Sequence, residues 1–517
     1  MTENGEQTEP ELHEDGPSRA RSWTAADVYA LSAVTVLGGI LRLLRITTPS
    51  TLMFDEVYYA KDACWFVNVS AELCGVGDEQ TRVHPPLGKW LIALGVRLFG
   101  YDAFGWRIMA AVAGTITIAL LYLLARKILN STAGATVAAG LLAIDLLHFV
   151  QSRVSMLDIF VPMFGIAALL FVVYDRDRLI PSVEEGVALG RRGIGLLERP
   201  WRLAAGAAAG AAVASKWSGG FFLLLVAVLA VAWEIRARWP DGGGRAMLRT
   251  IREEGLSLVV SFALLPVAVY AMTYVGRMDE ANGTTSYCPV PEGGWIAQVV
   301  RLQECMWRFH RTLEAGHSYE SPPWSWPLLK RPVAYFFESK ANGDYWEVFA
   351  AGNPFVWWAS LLALVFVAYA WVRRHDMTRG EGVIVAGFIF VYLPWLVIAR
   401  NAVFIFYLLP AVPFMCLALG YVASVIGRSW EARATLALFA AGAIGTAAFY
   451  YPLVAGVPLP YEDWNKRIWV FKEKQCEKPP GVLTTATITE TPSGIPTTRV
   501  TETRDNSSIP PKGWCWI

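Results

Sequence analysis

Charge is scarce in this 517-residue chain: Asp, Glu, Lys and Arg make up 17% of it, and 45 basic residues nearly cancel 44 acidic ones. Soluble proteins carry about a quarter charged residues, so a purely aqueous fold is excluded. A net charge of +1 gives no electrostatic basis for binding nucleic acid. Walker-type and Rossmann glycine patterns are missing, which argues against direct use of ATP or NAD. There is no Cys-x-x-Cys, the six histidines are scattered, and no internal repeat is evident. Metal ligation is therefore not indicated.

Long apolar runs, by contrast, fill the chain, with 54% hydrophobic residues and a mean hydropathy of +0.37. About 20 helical residues cross about 30 Å of hydrocarbon. Runs of that order lie near 28–46, 105–127, 132–150, 154–174, 201–215, 218–236, 255–275, 353–372, 382–398, 402–426 and 433–452. The pattern predicts an all-α polytopic membrane protein with about eleven transmembrane helices. With that threading the clusters Arg126–Lys127, Arg176–Arg199, Arg236–Arg252, Arg373–Arg379 and Arg428–Arg433 share one side, which the positive-inside bias makes cytoplasmic.

The N-terminus is then cytoplasmic and the C-terminus extracytoplasmic. Residues 1–27, acid-rich and without an apolar core, read as a disordered tail ahead of an uncleaved anchor. An N-terminal transmembrane module, 28–275, includes a first outer loop, 47–104. A second outer segment, 276–352, carries Ser321-Pro322-Pro323-Trp324-Ser325-Trp326-Pro327 and suits a surface resting on the membrane. A four-helix module, 353–452, precedes an outer tail, 453–517, whose Thr-, Ser- and Pro-rich stretch 481–508 reads as a flexible insert. Gly206-Ala207-Ala208-Ala209-Gly210 is a small-residue face of the kind that brings helices close.

Of seven cysteines, Cys64 and Cys74 fall in the first outer segment, Cys288 and Cys305 in the second, and Cys476 and Cys515 in the third. Two per outward segment points to disulfides in an oxidising compartment, local pairing being the simplest connectivity. Cys416 lies inside a predicted helix.

Chemistry-bearing residues collect at the outward helix ends. Asp55 and Glu56 follow the first apolar run, where charges are costly unless functional. His84 and Lys89 flank the start of a short helix, and Arg107 sits where the second span begins. His148, Gln151, Ser152, Arg153 and Asp158 occupy the turn between the third and fourth helices. Lys216 occupies the turn between the fifth and sixth, and Asn353 starts the eighth. Outside a cytoplasmic membrane there is no ready pool of nucleotide sugars, so glycosyl transfer there draws on a polyprenyl-phosphate carrier. Arg107, Arg153 and Lys216 are suited to hold its phosphate, and a carboxylate to deprotonate the attacking hydroxyl. Neighbours in sequence point in different directions on a helix, so one of Asp55 and Glu56 is expected to be the base and the other a positioner. Structural alternatives stand beside each role: pairing of Asp55 or Glu56 with Arg42 or Arg45, snorkelling of Arg107 and Lys216, and a bridge from Asp158 to Arg153.

Phe54-Asp55-Glu56, then His84-Pro85-Pro86-Leu87-Gly88-Lys89, then Gln151-Ser152-Arg153-Val154-Ser155-Met156-Leu157-Asp158, then Ser215-Lys216-Trp217-Ser218-Gly219 strongly resembles the protein O-mannosyltransferase family, in its actinobacterial form. The resemblance implies a C-type glycosyltransferase (GT-C) fold. It also implies transfer of mannose, with inversion, from polyprenyl-phosphate-mannose to Ser or Thr hydroxyls of secreted proteins on the outer face of the membrane. By resemblance Asp55 is the catalytic acidic residue, Glu56 its acceptor-positioning neighbour, and Arg107 the arginine associated with the donor phosphate. Lys216 fits a phosphate-contacting role, and Gln151 and Arg153 match the motif without individual contacts assigned. The expected partners are the lipid-linked donor, Ser/Thr-rich secreted acceptors, membrane lipids and the secretion translocon, with no further cofactor. Two departures matter: 276–352 is too short for the β-trefoil module of eukaryotic relatives, and the Thr-rich insert interrupts the tail and offers hydroxyls as a self-acceptor. A related GT-C transferase acting on a lipid or cell-wall glycan is the alternative enzyme, and a membrane transporter the alternative from another class.

Overall fold

The computed structural model describes residues 22–67, 74, 82–188, 195–239, 242–275, 288, 293–313, 317, 319–374, 380–398, 400–427, 429–471, 482–490 and 496–504. Helix α1 (Ala25–Leu43) leads to α2 (Glu56–Phe66) and α3 (Leu87–Phe99) in the first outer loop. The chain continues through α4 (Ala103–Leu129), α5 (Thr132–Ile144), α6 (Leu146–Gln151), α7 (Phe160–Ala188), α8 (Pro200–Ser215) and α9 (Gly220–Ala237). It goes on through α10 (Gly243–Met272) to α11 (Trp295–Thr312). Strands β1 (Val333–Ser339) and β2 (Asp344–Ala350) precede α12 (Pro354–Arg374), α13 (Gly380–Val397), α14 (Val412–Val425) and α15 (Trp430–Val454). The chain then runs through β3 (Leu459–Pro460), α16 (Tyr461–Ile468), β4 (Val482–Glu490) and β5 (Pro496–Arg504). Among the described residues nine helical stretches are long and apolar enough to cross a membrane; α5, with 13 residues, and α8, with 16, are shorter.

Local chemistry sets the helix ends. Asp102 caps α4 by accepting from the Gly105 N–H at 2.8 Å, and Asn130 ends it in the left-handed region. The single span expected over 132–150 is instead broken at Asp145. Its carboxylate caps α6 through the His148 N–H at 3.0 Å and accepts from Trp357 Nε1 at 2.7 Å. Once Asp145 is buried, those donors are the way to satisfy it, and helix continuity yields. Residues 1–21 of the expected tail lie outside the described residues, while 25–27 already belong to α1, where Asp27 bonds Arg126 at 2.7 Å.

Helices α8 and α10 touch through the glycines singled out above. A Cβ on Gly206 would lie 1.8 Å from the Ser261 carbonyl oxygen, and one on Gly210 would lie 2.7 Å from the Pro266 Cα. Small residues there let the two backbones meet. At the arginine-rich end, Arg199, Arg202 and Arg238 are buried among Asp175, Glu234 and Glu254, with Arg199 contacting Asp175 at 2.7 Å and Glu254 at 2.8 Å. These cations thus stitch α7, α8, α9 and α10 together.

On the opposite side, β1 and β2 form an antiparallel hairpin running from Val333↔Ala350 to Ser339↔Tyr345, extended by β3. Trp464 of α16 stacks on Tyr345 at 4.7 Å. Helix α11 exposes Ile296, Val300 and Trp307 and buries Leu302 and Met306, as suits a helix lying at headgroup level. The flexible insert expected at 481–508 instead contains an antiparallel ladder, Val482↔Arg504 through Glu490↔Pro496. Disulfides Cys64–Cys74 and Cys288–Cys305 are formed, and Cys416 is a buried free thiol; Cys476 and Cys515, with the tail end Trp514–Trp516, lie outside the described residues.

Candidate active site

The acidic pair is split into two unlike members. Glu56 opens α2 and turns inward, fully buried, to meet Arg107 of α4 at two points: Nε to Oε1 and Nη2 to Oε2, each 2.8 Å. The same carboxylate accepts from the backbone N–H of Met53 at 3.0 Å and of Ser155 at 2.9 Å. Arg107 donates its remaining N–H groups to the carbonyls of Ile46 (3.1 Å), Pro49 (2.6 Å) and Thr51 (2.9 Å). A guanidinium has five N–H donors, and all five are engaged. The guanidinium expected at the donor phosphate is thus engaged with Glu56 and the carbonyls of residues 46, 49 and 51, and its side chain has no solvent-accessible surface. Glu56 thus accepts four hydrogen bonds, two from Arg107 and one each from the Met53 and Ser155 N–H groups.

What this pair supports is Asp55. Phe54 just before it has φ 46°, the left-handed region that a bulky residue adopts only when its surroundings force it. Asp55 follows at the position just before α2, half-buried, its carboxylate making no hydrogen bond among the described residues. Burial pushes its pKa up to about 6, the Lys216 charge pulling it down and Asp158 pushing it up.

Lys216 and Asp158 lie near enough to that carboxylate for their charges to act on it. Lys216 Nζ donates to both Asp158 oxygens, at 2.8 and 2.9 Å, and lies 4.7 Å from the ring centre of Tyr407. The bridge expected from Asp158 to Arg153 is thus made to Lys216 instead. An ammonium has three protons, so one remains for an anion. His84 lies beside the same group, its ring 6.0 Å from Tyr59 and 5.0 Å from His310. The His310 Nε2–H donates to the Val83 carbonyl at 2.8 Å, leaving Nδ1 buried without a partner. Burial, with help from Arg400, holds the His310 pKa down to about 4. Arg400 lies 5.7 Å from the Tyr407 ring centre, with its Nε unpartnered.

Gln151 reaches the site through Tyr335 of β1, donating Nε2–H to the phenol oxygen at 2.7 Å, and the Tyr335 ring lies 5.0 Å from that of Phe54. The Gln151 carbonyl oxygen is buried without a partner. Arg153 points elsewhere. Its guanidinium lies 5.0 Å from the Phe149 ring centre, with Nε and Nη1 unpartnered, and burial, together with the charges of Arg107 and Arg45, lowers its pKa to about 10. Of Arg107, Arg153 and Lys216, expected from sequence to converge, Lys216 is the one whose charge acts on Asp55.

Three further expectations become structural. Lys89 pairs with buried Asp62 at 2.6 Å, joining α3 to α2. Asn353 caps α12, accepting from the N–H groups of Phe355 (3.1 Å) and Val356 (3.4 Å) and donating to the Ala443 carbonyl. His148 takes a bond from Arg42 at 2.7 Å and lies inside the bundle. Tyr335, His310, Tyr407 and Arg400 were not anticipated. Only Arg400 carried a signal, as a cation on the outward side of an apolar run, against the positive-inside bias. Among the described residues no group of three or more His, Cys, Asp or Glu is placed to hold a metal ion.

Comparison with known proteins bears on both halves of this arrangement. Residues 32–278 match the family profile described as dolichyl-phosphate-mannose-protein mannosyltransferase, and residues 295–473 match the C-terminal four TMM region of protein-O-mannosyltransferase. The polyprenol-phosphate-mannose--protein mannosyltransferase of Mycobacterium tuberculosis H37Rv is 31% identical over 494 residues, covering 88% of this chain and 92% of that one. Its counterpart in Mycolicibacterium smegmatis is 32% identical, covering 88% and 94%. Among solved structures, the Saccharomyces cerevisiae protein O-mannosyltransferase Pmt1–Pmt2 complex bound to the sugar donor superposes with a TM-score of 0.67 at 15% identity, covering 87% of this chain and 93% of that one.

Proposed function

The chain belongs to the protein O-mannosyltransferase family, and from that premise we propose that Asp55 is its catalytic base. The protein has the GT-C fold and transfers mannose from polyprenyl-phosphate-mannose to proteins. In the proposed reaction a Ser or Thr hydroxyl of the acceptor attacks the anomeric carbon of the mannosyl group. A carbon–oxygen bond forms to the acceptor, the bond to phosphate breaks, and the polyprenyl phosphate leaves with the electron pair. The hydroxyl proton passes to Asp55, and attack opposite the leaving group inverts the anomeric centre.

Lys216 is proposed to meet the growing charge on the leaving phosphate with its third N–H, and Arg400 to add a second cation. Asp158 holds Lys216 in place by its two-oxygen contact. Gln151, through Tyr335, sets the wall beside Phe54. The observation that carries this reading is the contrast inside the pair. Glu56 is saturated by Arg107 and two backbone N–H groups, whereas Asp55 beside it is free of hydrogen bonds among the described residues and lies within the field of the Lys216 charge.

The site is proposed to face the extracytoplasmic side of the cell membrane, since both disulfides lie at its end of the bundle and such bonds persist in oxidising surroundings. Acceptors would then arrive as extended chains from the secretion translocon. Polar groups gathered at one end of the helices, and not at mid-membrane, fit a lipid-phosphate enzyme and set the transporter reading aside.

The test is a membrane assay with polyprenyl-phosphate-mannose and a Thr-rich peptide. Asp55→Asn is expected to insert normally and to lose transfer by about two to four orders of magnitude. Unchanged turnover in that variant would remove Asp55 from the chemistry.

A further inference from the structure

Arg153 is 4% exposed, yet among the described residues nothing accepts a hydrogen bond from any of its five N–H groups, and Nε and Nη1 are buried. The guanidinium rests on the Phe149 ring at 5.0 Å, a contact that leaves every N–H free. Arg107 and Arg199, equally buried, are instead held by Glu56 with three carbonyls and by Asp175 with Glu254. A buried cation without such partners is costly, so an anion is wanted here.

The surroundings supply none. Besides burial, the groups that act on the Arg153 charge are Tyr451, Arg107 and Arg45, whereas those that act on Asp55 are Lys216 and Asp158. The two sets share no member. Glu56 meets the Arg107 charge, while neither Arg153 nor Arg45 pairs with a carboxylate among the described residues. Arg45 is exposed just past the end of α1 and donates Nη2–H to the Gly456 carbonyl beyond α15 at 3.1 Å, where the Trp346 indole also donates at 2.9 Å. An indole and a guanidinium together suit headgroup depth. On the last turn of α1, Ile40, Leu43 and Leu44 stand exposed, about 5.4 Å per turn below that level.

We propose that Arg153 and Arg45 bind the phosphate of an anionic phospholipid in the leaflet that borders the site, its tails lying along Ile40, Leu43 and Leu44. A phosphate offers oxygens to two guanidinium forks at once. Bound there, it ties α1, α6 and the end of α15 together beside the turn 46–51 that Arg107 holds. The inference does not depend on Asp55 being the base.

The experiment purifies the full chain in detergent, strips its lipid, and follows bound phosphorus and melting temperature as phosphatidylglycerol is added in mixed micelles. Wild type is expected to bind it saturably and to melt at a higher temperature. Arg153→Gln and Arg45→Gln are each expected to weaken binding by a factor of about 10 to 100. Because Arg45 is exposed, its variant stays informative if Arg153→Gln does not fold. Phosphatidylcholine, whose ammonium offsets its phosphate, is expected to bind more weakly, and inorganic phosphate to leave the melting temperature unchanged. Wild type that takes up no phosphatidylglycerol, uptake unaltered in both variants, equal uptake of phosphatidylcholine, or equal protection by inorganic phosphate would each overturn the proposal. Polyprenyl phosphate that displaces the phosphatidylglycerol and itself loses affinity in both variants would assign the two arginines to the donor lipid, and overturn it as well.

Discussion

Glu56 and Arg107 meet across 51 positions of sequence in a two-point contact with neither side chain exposed, and every polar atom of the pair has a partner. Because the guanidinium also holds the carbonyls of residues 46, 49 and 51, the pair organises the whole turn that presents Asp55. Removing one partner of such a buried pair costs about 3–5 kcal/mol. Arg107→Ala is therefore expected to lower the melting temperature and open the first outer loop to proteolysis along with the loss of transfer. Arg107→Lys should not rescue it, since a single ammonium cannot make five diverging bonds. A variant with unchanged melting temperature and only a raised donor KM would return Arg107 to the phosphate.

The pH profile of transfer follows from Asp55. With its pKa held up to about 6, the basic form dominates above that value, so kcat/KM should rise through pH 6 and level off by about pH 7. Since Lys216 pulls that pKa down, Lys216→Met should move the rising limb to higher pH in whatever activity remains. A limb that stays in place after the substitution would assign the titration to another group.

How much of this was legible in the sequence depends on distance along the chain. Asp55, Gln151, Asp158 and Lys216 could be singled out because each sits in a short motif at a predicted helix end, and most of the long apolar helices followed from hydropathy. The contacts of Arg107 were not readable, because they include backbone carbonyls that come together only once residues 46–51 have folded. Tyr335 and His310 come from the second outer segment and carry no motif, so nothing local marks them as neighbours of Phe54 and His84. The break at Asp145 was hidden for the same cause: its cap partners include Trp357, more than two hundred residues away.

Donor binding should separate from acceptor binding at Arg400. Its Nε is unpartnered beside the ring of Tyr407, on whose face Lys216 also lies. A charge-assisted bond to phosphate is worth about 1.5–3 kcal/mol, roughly a factor of 10 to 100 in affinity. Arg400→Ala is expected to raise the KM for polyprenyl-phosphate-mannose by that factor and leave the peptide KM unmoved. A shift in the peptide KM alone would place this arginine on the acceptor path.

Glu347 gives the outer sheet its own pH dependence. It is fully buried on β2, with one oxygen accepting from Trp464 Nε1 at 2.7 Å and the other unpartnered. Burial raises its pKa from 4.5 to about 8, the Trp464 bond pulling the other way. A group whose folded pKa is raised binds its proton more tightly when folded, so its stabilisation is full below pH 4.5 and is lost as pH rises through 8. The contact it anchors is the seat of α16 on β2, from which the tail departs. Wild-type protein is therefore expected to show faster hydrogen exchange in 459–468 at pH 9 than at pH 6, beyond the intrinsic chemical rate, whereas Glu347→Gln, which keeps the acceptor oxygen and cannot ionise, should show no such difference. Equal pH dependence in the two proteins would mean that Glu347 does not titrate against the fold, and that aromatic contacts such as the Tyr345–Trp464 stack seat this segment without it.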